Sequence, residues 1–258
     1  EKPEVRKAGG VYYTPTYIVD YIVANTLGRL LNGDDPACKK PIAVSQAAKL
    51  KLCDPACGSG SFLIVAYQFL LDWHRDQYTL DFDTSELDER KIQRHSGGKN
   101  PKIYQAKGGG WKLTTPERKR ILLNNIYGVD IDNQAVEVTK LSLLLKVLEG
   151  ETQQQLQRDF ISERQRILPD LGDNIQCGNS LIGPDFYDNE QMQLLDDETK
   201  YRINVFDWES AFPDVFKQGG FDCVVGNPPY IRIQSLTEFA APEAEWYKKS
   251  YKSAEKGN

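Results

Sequence analysis

Residue types able to do chemistry fall in three short segments of this chain. Gly226-Asn227-Pro228-Pro229-Tyr230 follows the hydrophobic run Phe221 to Val225. Two successive prolines fix the backbone, remove two N–H donors and leave carbonyls aimed in set directions. The Asn227 side chain adds a carbonyl acceptor, and Tyr230 adds a flat stacking face. Such a set suits a planar substrate bearing an amino group, although Asn-Pro-Pro read alone is also an ordinary loop breaker. The second segment, Asp54-Pro55-Ala56-Cys57-Gly58-Ser59-Gly60, joins a short apolar approach to a long apolar run. Its glycines let a ligand approach the backbone, and N–H groups at the start of the next helix can bond it. The same spacing fits a structural tight turn. Gly128-Val129-Asp130-Ile131 is the third, placing a carboxylate where ribose hydroxyls are held in nucleoside sites. It stands far further from Gly60 than the roughly twenty residues of a nicotinamide fingerprint, which disfavours a dehydrogenase.

These segments need elements to hold them. Apolar residues recur at helical spacing from about Thr16 to Leu31, after the turn-like Gly9 to Pro15. Lys51 to Asp54 reads as a first buried strand, and Phe62 to Leu71 as the start of the helix after the glycine turn. Ile126 to Ile131 reads as a second strand leading into a helix over Asn133 to Glu149. Asn174 to Cys177 and Phe221 to Val225 are the third and fourth strands. Strands alternating with helices predict an α/β fold with a doubly wound, mostly parallel sheet, whose ligands sit at the carboxyl ends of the strands. Asp72 to Asn125 breaks the alternation, and an insertion is expected at about 72–120, with a second at 183–205. Segment 1–48 is expected to be a helical lead, 49–235 the core, and 236–258 a polar, lysine-rich tail towards a missing part of the fold.

The 258 residues hold 32 Lys+Arg against 37 Asp+Glu, a formal net charge of −5, and 40% hydrophobic residues. That mixture excludes collagenous, membrane and wholly disordered chains. No apolar run reaches the roughly eighteen residues of a span, and Glu1 to Gly10 lacks a signal-like apolar core, so a cytoplasmic protein is expected. Five cysteines without a C-x-x-C pair fit neither a disulfide framework nor a zinc ribbon, and no metal site is expected. No P-loop is present. His74 and His95 lack a nucleophile motif and are expected at surface or packing positions. Asp185 with Glu198 and Lys200 imitates a nuclease pattern that arises easily by chance. Phe206, Trp208, Phe212 and Phe216 are expected to pack. Charge is segregated: Arg90 to Arg120 carries ten Lys and Arg against one acid, Glu117. That run is either a local DNA-contacting patch or a solvated insertion.

Taken together, Asp54-Pro55-Ala56-Cys57-Gly58-Ser59-Gly60-Ser61-Phe62, Gly128-Val129-Asp130-Ile131 and Asn227-Pro228-Pro229-Tyr230 resemble the ordered motifs of S-adenosylmethionine-dependent DNA adenine-N6 methyltransferases. The leading Tyr13-Thr14-Pro15 matches the gamma-class order, in which a Thr-Pro element precedes the glycine motif. The resemblance is strongest to the methylases of type IIG restriction-modification systems and covers nearly the whole chain apart from the insertions. It implies a Rossmann-like class I methyltransferase core, truncated at its C-terminal side, with S-adenosylmethionine as cofactor and double-stranded DNA as partner. It also implies a target-recognition domain after this chain and a nuclease domain before it.

Roles follow residue by residue from the resemblance. Thr14 and the backbone around Ala56 to Gly60, Gly58 included, would hold the methionine part of the cofactor, with Asp54 nearby, and Tyr13, Pro55, Ser61, Phe62 and Ser180 would also belong to the cofactor site. Asp130 would take the ribose hydroxyls and Ile131 would pack on the cofactor adenine. Family members commonly place an acid after the third strand to read the cofactor's exocyclic amine. Here Cys177-Gly178-Asn179-Ser180 puts Asn179 there, and an amide still accepts that bond. The lone pair of a target adenine N6 is conjugated into its ring, so acceptors on Asn227 and Pro228 would favour a tetrahedral nitrogen. N6 is inaccessible inside a duplex, so the base is flipped out, with Tyr230 stacking on it. Two other readings stand beside this one: a methyltransferase acting on RNA or on a protein glutamine, and a catalytically silent methylase-like DNA-binding module.

Overall fold

The computed structural model describes residues 14–33, 42–79, 100–106, 109–150, 168–230, 236–238 and 240–252. Tyr13, His95, Lys99 and Lys107 lie outside them.

The N-terminal helical stretch divides into α1 (Thr16–Asn25) and α2 (Leu27–Asn32). Thr26 makes the break. Its hydroxyl donates to the Ile22 carbonyl at 2.7 Å, competing with the helical ladder, and its backbone leaves helical angles at φ −112°, ψ −83°. The second piece is thereby re-aimed, and Gly28 meets the Phe69 ring so closely that a Cβ would stand 3.0 Å from it. After the short α3 (Val44–Ala47) come β1 (Leu52–Asp54) and α4 (Ser61–Thr79). The helix runs past Asp72 because its apolar period continues, with Trp73, His74 and Tyr78 buried beneath it. His74 is a packing residue: its Nδ1 lies 2.8 Å from the Leu70 carbonyl, and burial pulls its pKa down to about 4, keeping it neutral.

Residues 100–125 pack on this helix. An antiparallel hairpin, β2 (Ile103–Gln105) with β3 (Trp111–Leu113), leads into α5 (Thr115–Asn125). Ile103, Leu113, Ile121 and Leu122 join the main core. The described basic residues of this region bind within the chain. Arg118 donates to the Glu149 and Lys146 carbonyls at 2.8 and 3.1 Å, and Arg120 pairs with Glu117 at 2.6 Å. Tyr78 donates to the same buried carboxylate at 2.6 Å.

Next come β4 (Ile126–Asp130), α6 (Asn133–Leu148) and β5 (Ile175–Cys177). The short helices α7 (Glu190–Gln193), α8 (Asp197–Ile203), α9 (Trp208–Ala211) and α10 (Pro213–Phe216) precede β6 (Cys223–Val224). The last described helix, α11 (Ala241–Ser250), lies in the segment expected to be a tail.

Strands β5, β4, β1 and β6 lie side by side in that order, all parallel. Alternating residues send the sheet's side chains to opposite faces. On one face Leu52 and Ile126 join the large core with α1, α4 and α6. On the other, Cys53, Tyr127 and Val129 pack against Phe206, Phe212 and Val215, with Trp208 and Phe221 beside them. Both faces are covered, as a doubly wound sheet requires. Phe206 and Phe212 are therefore core, with Trp208 partly buried beside them, whereas Phe216 is exposed and meets the edge of this cluster at Phe221; each fully buried aliphatic or aromatic side chain contributes about 1.5–3 kcal/mol. The chain builds outwards from β1 through β4 to β5, then returns to the other side of β1 with β6. That reversal is a topological switch point, and the crevice outside the carboxyl ends of β1 and β6 is where such folds bind ligands.

Candidate active site

Asp54 ends β1, and the glycine turn begins at once. Asp54 Oδ1 accepts from the Ala56 N–H at 3.0 Å, and the Cys57 N–H donates to the Val129 carbonyl at 3.0 Å, tying the turn to β4. Gly58 takes φ +53°, and nothing lies within 4 Å of where a Cβ would be, so the turn opens to one side. Gly60 takes φ +84° and is pressed against Thr139, whose hydroxyl donates to the Gly58 carbonyl at 2.7 Å. Gly128 makes the approach possible, since a Cβ there would stand 2.7 Å from Leu63 and 3.2 Å from the Cys57 sulfur. Burial pushes the Cys57 thiol far up, as do Asp130 and Asp54 nearby, so it stays protonated and is no nucleophile.

Asp130 closes β4 across from this turn. One carboxylate oxygen accepts from the Gly58 N–H at 2.7 Å and the other from the Asp132 N–H at 2.9 Å. Open space beside Gly58 and this acceptor together fit the ribose and backbone-binding roles expected of the segment. Burial raises the Asp54 carboxyl to about 7; the Ala56 N–H opposes this and the Asp130 charge adds to it. A cation placed there would draw off its proton.

The Asn227-Pro228-Pro229-Tyr230 segment follows β6 on the other side of β1. Gly226 rides on Asp54: a Cβ would lie 2.5 Å from Oδ1. Asn227 is partly buried, and its Nδ2 donates to the Thr14 hydroxyl at 3.1 Å. Because the amide nitrogen is taken by Thr14, its carbonyl end is left for another partner. Pro228, Pro229 and Tyr230 are exposed, Tyr230 by 74% of its surface.

The third-strand residues sit behind. Asn179 is buried; its Oδ1 accepts from the Leu181 N–H at 3.1 Å and its Nδ2 donates to the Tyr247 hydroxyl at 3.3 Å. Ser180 gives its carbonyl to the Trp208 ring N–H at 3.1 Å, and the Ile131 carbonyl takes the Cys177 thiol at 3.7 Å. Phe62 is buried in the main core, while Ser61 starts α4. Thr14, Asp54, Asp130, Asn179 and Asn227 thus gather around the carboxyl ends of the strands. Tyr247 was missed by sequence reasoning. Its signal was the helical spacing of Glu243, Ala244, Trp246 and Tyr247, masked by the lysines that follow.

No helix among the described residues is long and apolar enough to cross a membrane. The sequence model of the Eco57I restriction-modification methylases matches residues 124–258, and that of the N-6 DNA methylases matches residues 2–94. The chain is 34% identical over 246 residues to the type II restriction enzyme and methyltransferase RM.Eco57I of Escherichia coli, covering 95% of the chain and 20% of that protein. It is 31% identical over 207 residues to the putative type II restriction enzyme and methyltransferase RM.MjaORFECS2P of Methanocaldococcus jannaschii, covering 69% and 15%. It is also 24% identical over 229 residues to the adenine-specific methyltransferase PglX of Streptomyces coelicolor, covering 89% and 15%. The chain spans a fifth or less of the length of these relatives. With a four-stranded parallel sheet that carries the ordered motifs on its carboxyl edge, the chain belongs to the Eco57I restriction-modification methylase family.

Proposed function

We propose that this chain is the catalytic core of a DNA methyltransferase that moves a methyl group from S-adenosylmethionine to N6 of a flipped-out adenine, in the modification arm of a restriction-modification protein. The observation that carries the reading is the 3.1 Å bond between Asn227 and Thr14, which joins the Thr-Pro element to the Asn-Pro-Pro-Tyr loop beside the glycine turn. Double-stranded DNA is the substrate, and target recognition and any cleavage belong to other parts of a longer protein.

The bound cofactor supplies an electrophilic methyl group on a sulfonium. Around it, the turn from Ala56 to Gly60 and Thr14 hold the methionine part, Asp130 takes the ribose hydroxyls, and Ile131 and Asn179 take the adenine. Asn227 Oδ1 and the Pro228 carbonyl accept the two amine hydrogens of the target base. They face the positive charge that grows on nitrogen as it turns tetrahedral, the type of placement worth several kcal/mol in a site that excludes water. Tyr230 stacks on the flipped base and so offsets part of its unstacking cost. No group has to remove a proton before attack, and alignment of nitrogen, methyl and sulfur supplies much of the rate.

The test uses unmethylated DNA and cofactor labelled in its methyl group, followed by digestion to nucleosides. Label is expected on N6-methyladenine and is expected to vanish with Asn227→Ala. Label on another base, or none on DNA by a protein that binds the cofactor, would overturn the reading.

A further inference from the structure

Asn179 is tied at both ends of its amide. Its Oδ1 accepts from the Leu181 N–H and its Nδ2 donates to the Tyr247 hydroxyl. One lone pair and one N–H remain. The Leu181 N–H can only donate, so Leu181 sets which end is carbonyl, while the Tyr247 hydroxyl, which can accept or donate, holds the plane of the amide. The tether comes from α11, a helix docked by several independent contacts. Arg202 pairs with the buried Glu243 at 3.1 Å, Tyr251 donates to the Leu181 carbonyl at 2.8 Å, and the Trp246 ring meets Phe186 edge-on at 5.5 Å.

We infer that Tyr247 is a positioning residue, which holds in place the Asn179 amide whose polarity Leu181 sets, so that the amide reads the 6-amino ring of the cofactor. The inference rests on the reading of Asn179 as the residue at the cofactor's exocyclic amine. Adenine presents a donor at N6 and an acceptor at N1, which match the free carbonyl lone pair and the free N–H of one amide. Hypoxanthine presents an acceptor at position 6 and a donor at N1, which match only the reversed amide. Reversal would set the amide nitrogen against the Leu181 N–H, so the preference for the 6-amino ring lies with Leu181 and the firmness of the amide with its tether to Tyr247.

Calorimetric titration of S-adenosylhomocysteine and S-inosylhomocysteine into the protein tests this without turnover. Tyr247→Phe removes only the hydroxyl. It is expected to weaken the 6-amino ligand about five- to tenfold, as loss of one restraining hydrogen bond does, while the preference over the 6-oxo ligand, set by Leu181, is kept. In an Asn179→Ala background the same substitution is expected to change neither affinity. Tyr251→Phe, which loosens the same helix without touching Asn179, is expected to leave the affinity for the 6-amino ligand unchanged. An unchanged affinity in Tyr247→Phe, an equal change in Tyr251→Phe, or additive effects with Asn179→Ala would each overturn the inference. Failure of the unaltered protein to bind either ligand would remove the cofactor reading itself.

Discussion

The Asn227 amide nitrogen donates to the Thr14 hydroxyl at 3.1 Å, across 213 positions of sequence. The bond does two jobs at once: it ties Thr14 to the carboxyl edge of the sheet, and it restrains the Asn227 amide, whose carbonyl is proposed to face the target amine. Thr14→Val keeps the shape and removes the hydroxyl, so the amide is free to rotate. Single-turnover methyl transfer to DNA is expected to slow about tenfold, with a smaller change in unfolding midpoint, because one hydrogen bond is worth about 1 kcal/mol. Equal rates in the two proteins would show that Thr14 does not orient Asn227.

Asp54 makes cofactor binding depend on pH. Its carboxyl titrates near 7, lifted first by burial and also by Asp130, with the Ala56 N–H pulling the other way. The proposed cofactor brings a sulfonium and an ammonium, which favour the carboxylate, so affinity is expected to rise as pH increases from 6 to 8, with release of a proton. Titrations in buffers of different ionisation enthalpy measure that proton. Asp54→Asn is expected to flatten the dependence. The sign for stability is opposite: the unfolded chain loses this proton near 3.8 and the folded chain near 7, so this group's contribution falls as pH rises through that window.

Gly226 and Gly60 are expected to fail in different ways. A methyl at Gly226 would stand 2.5 Å from Asp54 Oδ1 and must move either that carboxyl or the Asn-Pro-Pro-Tyr loop. Gly226→Ala is therefore expected to cut methyl transfer at least tenfold with only modest loss of stability. Gly60→Ala forces a side chain onto φ +84° against Thr139 at 2.9 Å. Strain of that kind costs about 1–3 kcal/mol, readable as a lower urea midpoint.

Glu117 tests the region read as an insertion. Its carboxylate accepts from Tyr78 at 2.6 Å and pairs with Arg120 at 2.6 Å. Burial alone would raise its pKa, but the bonds from Arg120 and Tyr78 win and hold it below the usual glutamate value. Its contribution is thus present at neutral pH and is lost as pH falls through that lowered value. Glu117→Ala leaves two donors without their partner and is expected to cost about 3 kcal/mol in chemical denaturation. Preserved stability would mean that this region does not fold with the core.

Much of this molecule was legible in the sequence because its signals are local. Apolar period gave the sheet strands and long helices, and glycines that need φ above zero marked the turn after β1. Residue type gave Asp130 and Asn227 their chemistry. Partner choice was not legible. Asn179 was read only as an acceptor for the cofactor's amine, and nothing near it in sequence pointed to Tyr247, 68 positions away and bonded to it. Residues 236–258 looked like a polar tail, because three aromatic contacts on one helix face are swamped by flanking lysines in any averaged pattern. Residues 72–79 looked like the start of an insertion, but tertiary burial of Trp73 and Tyr78 keeps α4 going. The sequence by itself determined which groups can accept, donate or bend. Only the tertiary structure decided which of them meet, because hydrogen bonds and burial between distant residues depend on how the sheet reverses at β1, and no short window of sequence records that reversal.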